Sequence, residues 1–143
     1  MAIDSGPALT MFNEGYREGI YLDSEGYPTT GYGYCLDSAL VYHTVKEWHE
    51  AKFREMYQQA EVNYERYGFV LDPVRHAAVV DLLYNLGPTR FAKFIRFIAA
   101  LRAQDWEAAA HSLENSLWFR QVGHRGPRII QLIRFGRWDA INT

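Results

Sequence analysis

Three residues near the start of this 143-residue sequence have types and spacing that could do chemistry: Glu14, Asp23 and Thr29. Two carboxyls facing each other across a cleft are the minimum kit for glycoside hydrolysis. One acts protonated on the leaving oxygen and the other acts ionised. A hydroxyl beside them can orient the attacking water. Spacing alone favours a plainer reading of the two acids as surface charge, so the neighbouring sequence has to decide between them.

Other chemistries have weaker footing. The histidines at 43, 49, 76, 111 and 124 are scattered, and His43 and His49 are not at the i,i+4 spacing that chelates a metal from one helix face. They read as surface or hydrogen-bonded histidines, with no metal site and no cofactor expected. The chain has no Gly-x-Ser-x-Gly elbow and no Walker motif, and Gly31-Tyr32-Gly33 lacks the third glycine of a dinucleotide loop. That tripeptide reads instead as close strand packing, and the single cysteine, Cys35, as a small buried residue. Arg120, Arg125, Arg128, Arg134 and Arg137 interleave with Trp118, Phe119, Phe135 and Trp138. Such a mixture suits single-stranded nucleic acid, but a helix core needs those aromatics equally, and no nucleic-acid partner is expected.

The elements that must position Glu14, Asp23 and Thr29 are legible in outline. Ser5-Gly6-Pro7 predicts the start of a short helix, with Leu9, Met11 and Phe12 near one stripe and Gly15 closing it after Glu14. From Tyr16 to Tyr34, glycines alternate with aromatic and β-branched residues, which predicts short antiparallel strands with a reversal at Ser24-Glu25-Gly26. Thr44 and Glu47 have the spacing of a capping box. Phe53, Met56, Tyr57, Ala60 and Tyr64 then predict a helix of about 20 residues, roughly 30 Å long. Asp72-Pro73 opens a helix over Val74–Leu86 that Gly87 closes. Pro88-Thr89 opens another, with Phe91, Phe94, Ile95, Ile98 and Leu101 at helical spacing. Shorter helices follow at Trp106–Leu113, Ser116–Gln121 and Arg128–Phe135. The class is α+β, with strands confined to residues 16–36.

Composition sets the remaining bounds. At 16.6 kDa and 48% hydrophobic, the chain fits one compact domain. Its longest apolar stretch is far shorter than a bilayer span, so no stable membrane insertion is expected. The start, MAIDSGPALT, shows no export signal. Net charge is −2, but residues 1–73 carry −7 and residues 74–143 carry +5, an asymmetry that suits two lobes with different tasks.

The run from Phe12-Asn13-Glu14-Gly15 through Tyr21-Leu22-Asp23-Ser24-Glu25-Gly26-Tyr27-Pro28-Thr29-Thr30-Gly31-Tyr32-Gly33 resembles the active-site region of phage-type lysozymes, the endolysin muramidases. Their pattern is a glutamate, eight residues, an aspartate, five residues and a threonine, which Glu14, Asp23 and Thr29 match. Leu71-Asp72-Pro73-Val74-Arg75, Tyr84-Asn85-Leu86-Gly87, Trp106-Glu107-Ala108-Ala109 and Ser116-Leu117-Trp118-Phe119 are similar to the family's helical lobe. So is Phe135-Gly136-Arg137-Trp138-Asp139-Ala140. The resemblance runs from about residue 9 to 141, with a shortened region around 37–47.

This resemblance implies a two-lobed, lysozyme-like fold in a single domain over 1–143. A hairpin-bearing lobe would occupy 1–45, a connecting helix 44–66 and a helical lobe 67–143. It implies hydrolysis of the β-1,4 bond between N-acetylmuramic acid and N-acetylglucosamine, with inversion, in bacterial lysis by a phage. Glu14 would be the general acid, Asp23 its ionised partner, and Thr29 a holder of the water. An inverting reaction places the two carboxyls about 6.5–9.5 Å apart. Arg125 lies where the family pairs an arginine with the glutamate. Such a pair lowers the Glu14 pKa, so burial or substrate must offset it. Tyr84, Asn85 and Ser112 match groove positions: Tyr84 could stack on a sugar and Asn85 bond an acetamido group, or both could simply pack near Gly87. The implied partner is bacterial peptidoglycan, met by a monomer made in the host cytoplasm.

Three departures from the family stand out. Tyr34 replaces a frequent histidine, Cys35 replaces a frequent aliphatic residue, and the chain is acidic where the T-even member of the family is markedly basic. The last predicts weaker long-range attraction to the wall and a less pronounced preference for low ionic strength. A lytic transglycosylase, or a wall-binding or virion protein without activity, are the alternatives to a hydrolase.

Overall fold

The computed structural model describes residues 2–22, 28–35 and 46–142. Helix α1 spans Gly6–Glu14. Its start is local chemistry: the Ser5 hydroxyl accepts from the Ala8 N–H, and Pro7 occupies the first turn, where no N–H is needed. Its end is equally local, with the Gly15 N–H donating to the Met11 carbonyl. Of the expected stripe, Leu9 is fully buried while Phe12 is 49% exposed. Thr10 is buried instead, and the candidate site explains why.

Three antiparallel strands follow in the order β1 (Arg17–Leu22), β2 (Pro28–Gly31) and β3 (Tyr34–Cys35). Thr29 on the central strand faces Tyr21 on one side and Cys35 on the other, and an irregularity interrupts β1 between Arg17 and Tyr21. Cys35 is exposed, not buried as expected. It ends a two-residue edge strand, so it lacks the cover that the central position gives Thr29. The reversal expected at Ser24-Glu25-Gly26, His43 and the capping threonine Thr44 lie outside the described residues.

Helix α2, Lys46–Glu65, has the expected length of 20 residues. Phe53, Tyr57, Ala60 and Tyr64 are buried as their spacing requires, and the helix packs on both β2 and α3. Helix α3, Pro73–Phe91, is capped by Asp72, whose carboxylate accepts from the Arg75 N–H. Its backbone leaves helical geometry at Gly87 (φ 78°, ψ 163°), where the sequence placed the end.

Beyond that break the expected helix from Pro88 is two pieces. A short turn runs to Phe91, and helix α4 begins only at Ile95, ending at Arg102. The interruption at residues 92–94 resets the phase of the apolar stripe. Ile95 is therefore 74% exposed, while Phe97, outside the expected stripe, is buried. Helices α5 (Trp106–Glu114) and α6 (Leu117–Gln121) start at Asp105 and Ser116, each capping with its own side-chain oxygen. Helix α7, Arg125–Phe135, starts earlier than the expected Arg128 because Gly126 and Pro127 fit inside its first turn. A 3-10 turn at Trp138–Ala140 closes the chain's described part. Helices α3, α5 and α7 supply the deepest core, with Leu82, Leu113, Ile129, Leu132 and Ile133 fully buried. The architecture is α+β, a small sheet near the N-terminus beside a helical cluster, as the sequence predicts.

Candidate active site

Glu14 is the last residue of α1, so its side chain leaves the helix where the backbone turns into the sheet. The carboxylate rests on the turn between β2 and β3. A Cβ built on Gly33 (φ 78°) would stand 2.5 Å from Glu14 Oε2, so only a residue without a side chain admits this approach. The other oxygen, Oε1, accepts from Nη1 of Arg125 on α7 at 2.9 Å. The Glu14 side chain keeps 16% of its exposure, and that of Arg125 keeps 7%.

Arg125 is held from behind. Its Nε and Nη2 donate to the two carboxylate oxygens of Asp81 on α3, at 2.9 and 3.1 Å. Asp81 has no exposed surface at all. It also accepts from the Thr10 hydroxyl and, at 3.1 Å, from the Asn13 amide, both on α1. Asn13 in turn accepts from Arg128 Nε at 2.8 Å. A buried carboxylate thus ties α1, α3 and α7 together directly behind Glu14. This accounts for the burial of Thr10.

The cluster is two carboxylates around one guanidinium, and burial is the largest influence on Glu14. Desolvation pushes the Glu14 pKa up, Arg125 pulls it down by charge and hydrogen bond, and Asp81 pushes it up again, leaving it above the ordinary 4.5. The offset to Arg125 is therefore present without substrate. A carboxyl held toward its protonated form beside a turn is suited to donate a proton.

Thr29 lies on β2 and is buried. Its neighbour Thr30 donates its hydroxyl proton to the Gly19 carbonyl at 2.9 Å and lies 3.3 Å from His49 Nε2. The other ring nitrogen, Nδ1, lies 3.0 Å from the Tyr16 hydroxyl. With Thr30 already donating to Gly19, its oxygen is left to accept from a proton on His49 Nε2. His49 is thus a buried, hydrogen-bonded residue that fixes the central strand. Asp23 lies outside the described residues, so the expected separation of the two carboxyls has no counterpart here.

The three groove positions separate. Tyr84 is half-buried on α3 and donates its hydroxyl to the Tyr32 carbonyl at 2.8 Å, joining the helical cluster to the turn under Glu14. Asn85 accepts from the Trp118 indole N–H at 2.8 Å, which commits its oxygen to packing α3 against α6. Ser112 donates to the Ala109 carbonyl and lines a cavity of about 650 Å³ between α4 and α5, together with Lys93, Phe94, Arg96 and His111. Neither Glu14 nor Tyr84 lines that cavity. Among the described residues, no three His, Cys, Asp or Glu side chains are placed to hold a metal, and no helix is long and apolar enough to cross a membrane.

Sequence reasoning missed Asp81, Thr10 and Asn13. Asp81 did carry a signal: it is the one charge within the otherwise apolar run Ala77–Leu83, on the face that the helix must bury.

Comparison with known proteins places the chain in a family. The phage lysozyme family model matches residues 12–132, which takes in Glu14, the sheet, Asp81 and Arg125. The pre-baseplate central spike protein Gp5 of Enterobacteria phage T4 is 25% identical over 96% of this chain, which spans only 30% of that protein. Two proteins of Dictyostelium discoideum match along most of both lengths. Probable T4-type lysozyme 1 is 23% identical over 92% of this chain and 95% of its own. Probable T4-type lysozyme 2 is 23% identical over 90% and 92%. With most of its length matched in this way, and an α+β architecture to go with it, the chain belongs to the phage lysozyme family.

Proposed function

We propose that this protein hydrolyses the β-1,4 bond between N-acetylmuramic acid and N-acetylglucosamine in peptidoglycan, with Glu14 as the general acid. Membership in the phage lysozyme family supports a glycoside hydrolase acting on the bacterial wall. The observation that carries the assignment is Glu14 itself, held toward its protonated state by burial while Arg125 fixes its orientation. A proton must reach the glycosidic oxygen as the bond breaks, and a carboxyl with a raised pKa is the group that retains one near neutral pH.

In this reading Glu14 protonates the leaving oxygen. Asp23 takes a proton from a water that Thr29 helps to hold, and that water attacks the anomeric carbon from the opposite face, inverting it. Tyr84, joined to the turn under Glu14, presents its ring to a sugar. The enzyme is made in a bacterial host and serves lysis by a phage.

Clearing of permeabilised Gram-negative cells, compared with Glu14→Gln, tests the acid role. Wild type should clear and the variant should not; equal clearing by both removes Glu14 from the reaction. No clearing by either would favour a wall-binding or virion role. Mass spectrometry of the digested wall tests the chemistry. Reducing ends are expected, and 1,6-anhydro ends would assign the protein to lytic transglycosylases instead.

A further inference from the structure

We propose that Asp81 is a positioning residue for the reaction, holding Arg125 so that it orients Glu14 without presenting it with a full positive charge. The inference rests on the reading of Glu14 as the general acid. Its geometric basis is the division of the Arg125 donors. Nε and Nη2 are both spent on Asp81, and Nη1 goes to Glu14. A planar guanidinium gripped along one edge cannot swing, so the remaining N–H points where the Glu14 oxygen must be.

Charge explains why the holder is an acid and not a neutral amide. An arginine alone beside Glu14 would keep that carboxyl ionised and spoil it as a donor. Asp81 lies on the far side of the same guanidinium and compensates its charge. Glu14 then receives a hydrogen bond with only a residual field. The Thr10 hydroxyl and the Asn13 amide both donate to Asp81 and hold it in place. Asn13 also precedes Glu14 directly, so the same carboxylate anchors the end of α1 from which the acid projects.

Several other groups face this cluster. Arg128 on α7 bonds Asn13 and feels both Asp81 and Arg125. Tyr84 on α3 feels the Glu14, Arg125 and Asp81 charges, and Tyr57 on α2 feels Asp81. Both phenols are pushed above their ordinary value of 10.0, burial being the largest cause, so they stay neutral through the enzyme's working range.

The test is the pH profile of kcat/KM on purified peptidoglycan for wild type, Asp81→Asn and Asp81→Glu, each checked for folding by circular dichroism. Asp81→Asn keeps the shape and removes the charge. Its basic limb should move down by about one pH unit, leaving about tenfold less activity above the limb. Asp81→Glu keeps the charge and displaces it. Its limb should stay in place while kcat falls about tenfold with KM unchanged, the cost of misplacing the acid. A folded Asp81→Asn with an unmoved limb overturns the proposal. Should that variant not fold, Asp81→Glu decides: a kcat within about twofold of wild type overturns it. If neither folds, Asp81 is scaffold alone and the proposal is likewise overturned. Glu14→Gln run in parallel separates the two readings. An active Glu14→Gln removes the acid role itself, whereas an inactive one with an unmoved Asp81→Asn limb removes only this inference.

Discussion

Glu14 Oε2 occupies the space that a side chain at Gly33 would need, 2.5 Å from where its Cβ would stand. The acid at the end of α1 and the turn after β2 are therefore fitted to each other. Gly33→Ala should displace the carboxylate and force alanine into φ 78°. The backbone cost is about 1 kcal/mol, and the displacement should lower kcat by about tenfold or more. Gly68→Ala is the control, since Gly68 has a similar φ of 63° with nothing within 4 Å of its added carbon. It should lose comparable stability and keep its activity. Thermal unfolding and wall-clearing rates measured together distinguish the two; equal activity in both variants would contradict the fit.

Stability should depend on pH through the same acid. The folded-state pKa of Glu14 lies above 4.5, so the folded chain binds this proton more tightly than the unfolded chain does. The favourable contribution is complete below about 4.5 and is lost as pH rises through the folded value. Glu14→Gln stays neutral and can still accept from Arg125. It should outlast wild type in urea at pH 7, with the gap closing in acid. A gap that is constant across pH would refute the assignment.

Asp72 should show the opposite sign. Burial pulls its pKa up, but the backbone N–H and guanidinium of Arg75 outweigh that and leave it below 3.8. Its contribution is therefore present above about 3.8 and lost as pH falls through the lowered value. Asp72→Ala should cost about 1 kcal/mol at pH 7 through the lost N-cap of α3. Activity should be unchanged at a temperature where both proteins are folded. Denaturation at pH 7 and in strong acid checks this, since the difference should shrink in acid.

Tyr84→Phe separates the ring from the hydroxyl. The hydroxyl joins α3 to the Tyr32 carbonyl, and its loss leaves that acceptor without this donor. A stability loss of about 1 kcal/mol is expected. KM should be nearly unchanged if the ring is what meets the sugar. A large rise in KM with no loss of stability would place the hydroxyl on the substrate.

Features closed within a few residues were legible without a structure. Ser5, Asp72 and Ser116 satisfy N–H groups three positions ahead, so their helices begin where the sequence says. The face of α2 was legible because one unbroken helix keeps its phase over 20 residues. The stripe through Ile95 was not, because the break at residues 92–94 resets that phase between Phe91 and Phe97.

The site divides along the same line. By itself the sequence determined the order of Glu14, Asp23 and Thr29, and the glycines and turns that bring a helix end against a sheet. Only the tertiary structure decided what surrounds Glu14. Arg125 reaches it across 111 residues and Asp81 reaches Arg125 across 44. Their contacts exist because α1, α3 and α7 pack around one point. Chain-local signals report bonds that a segment can make with itself. A buried charge needs partners from whichever elements surround it, and its protonation is set by the water those elements exclude together.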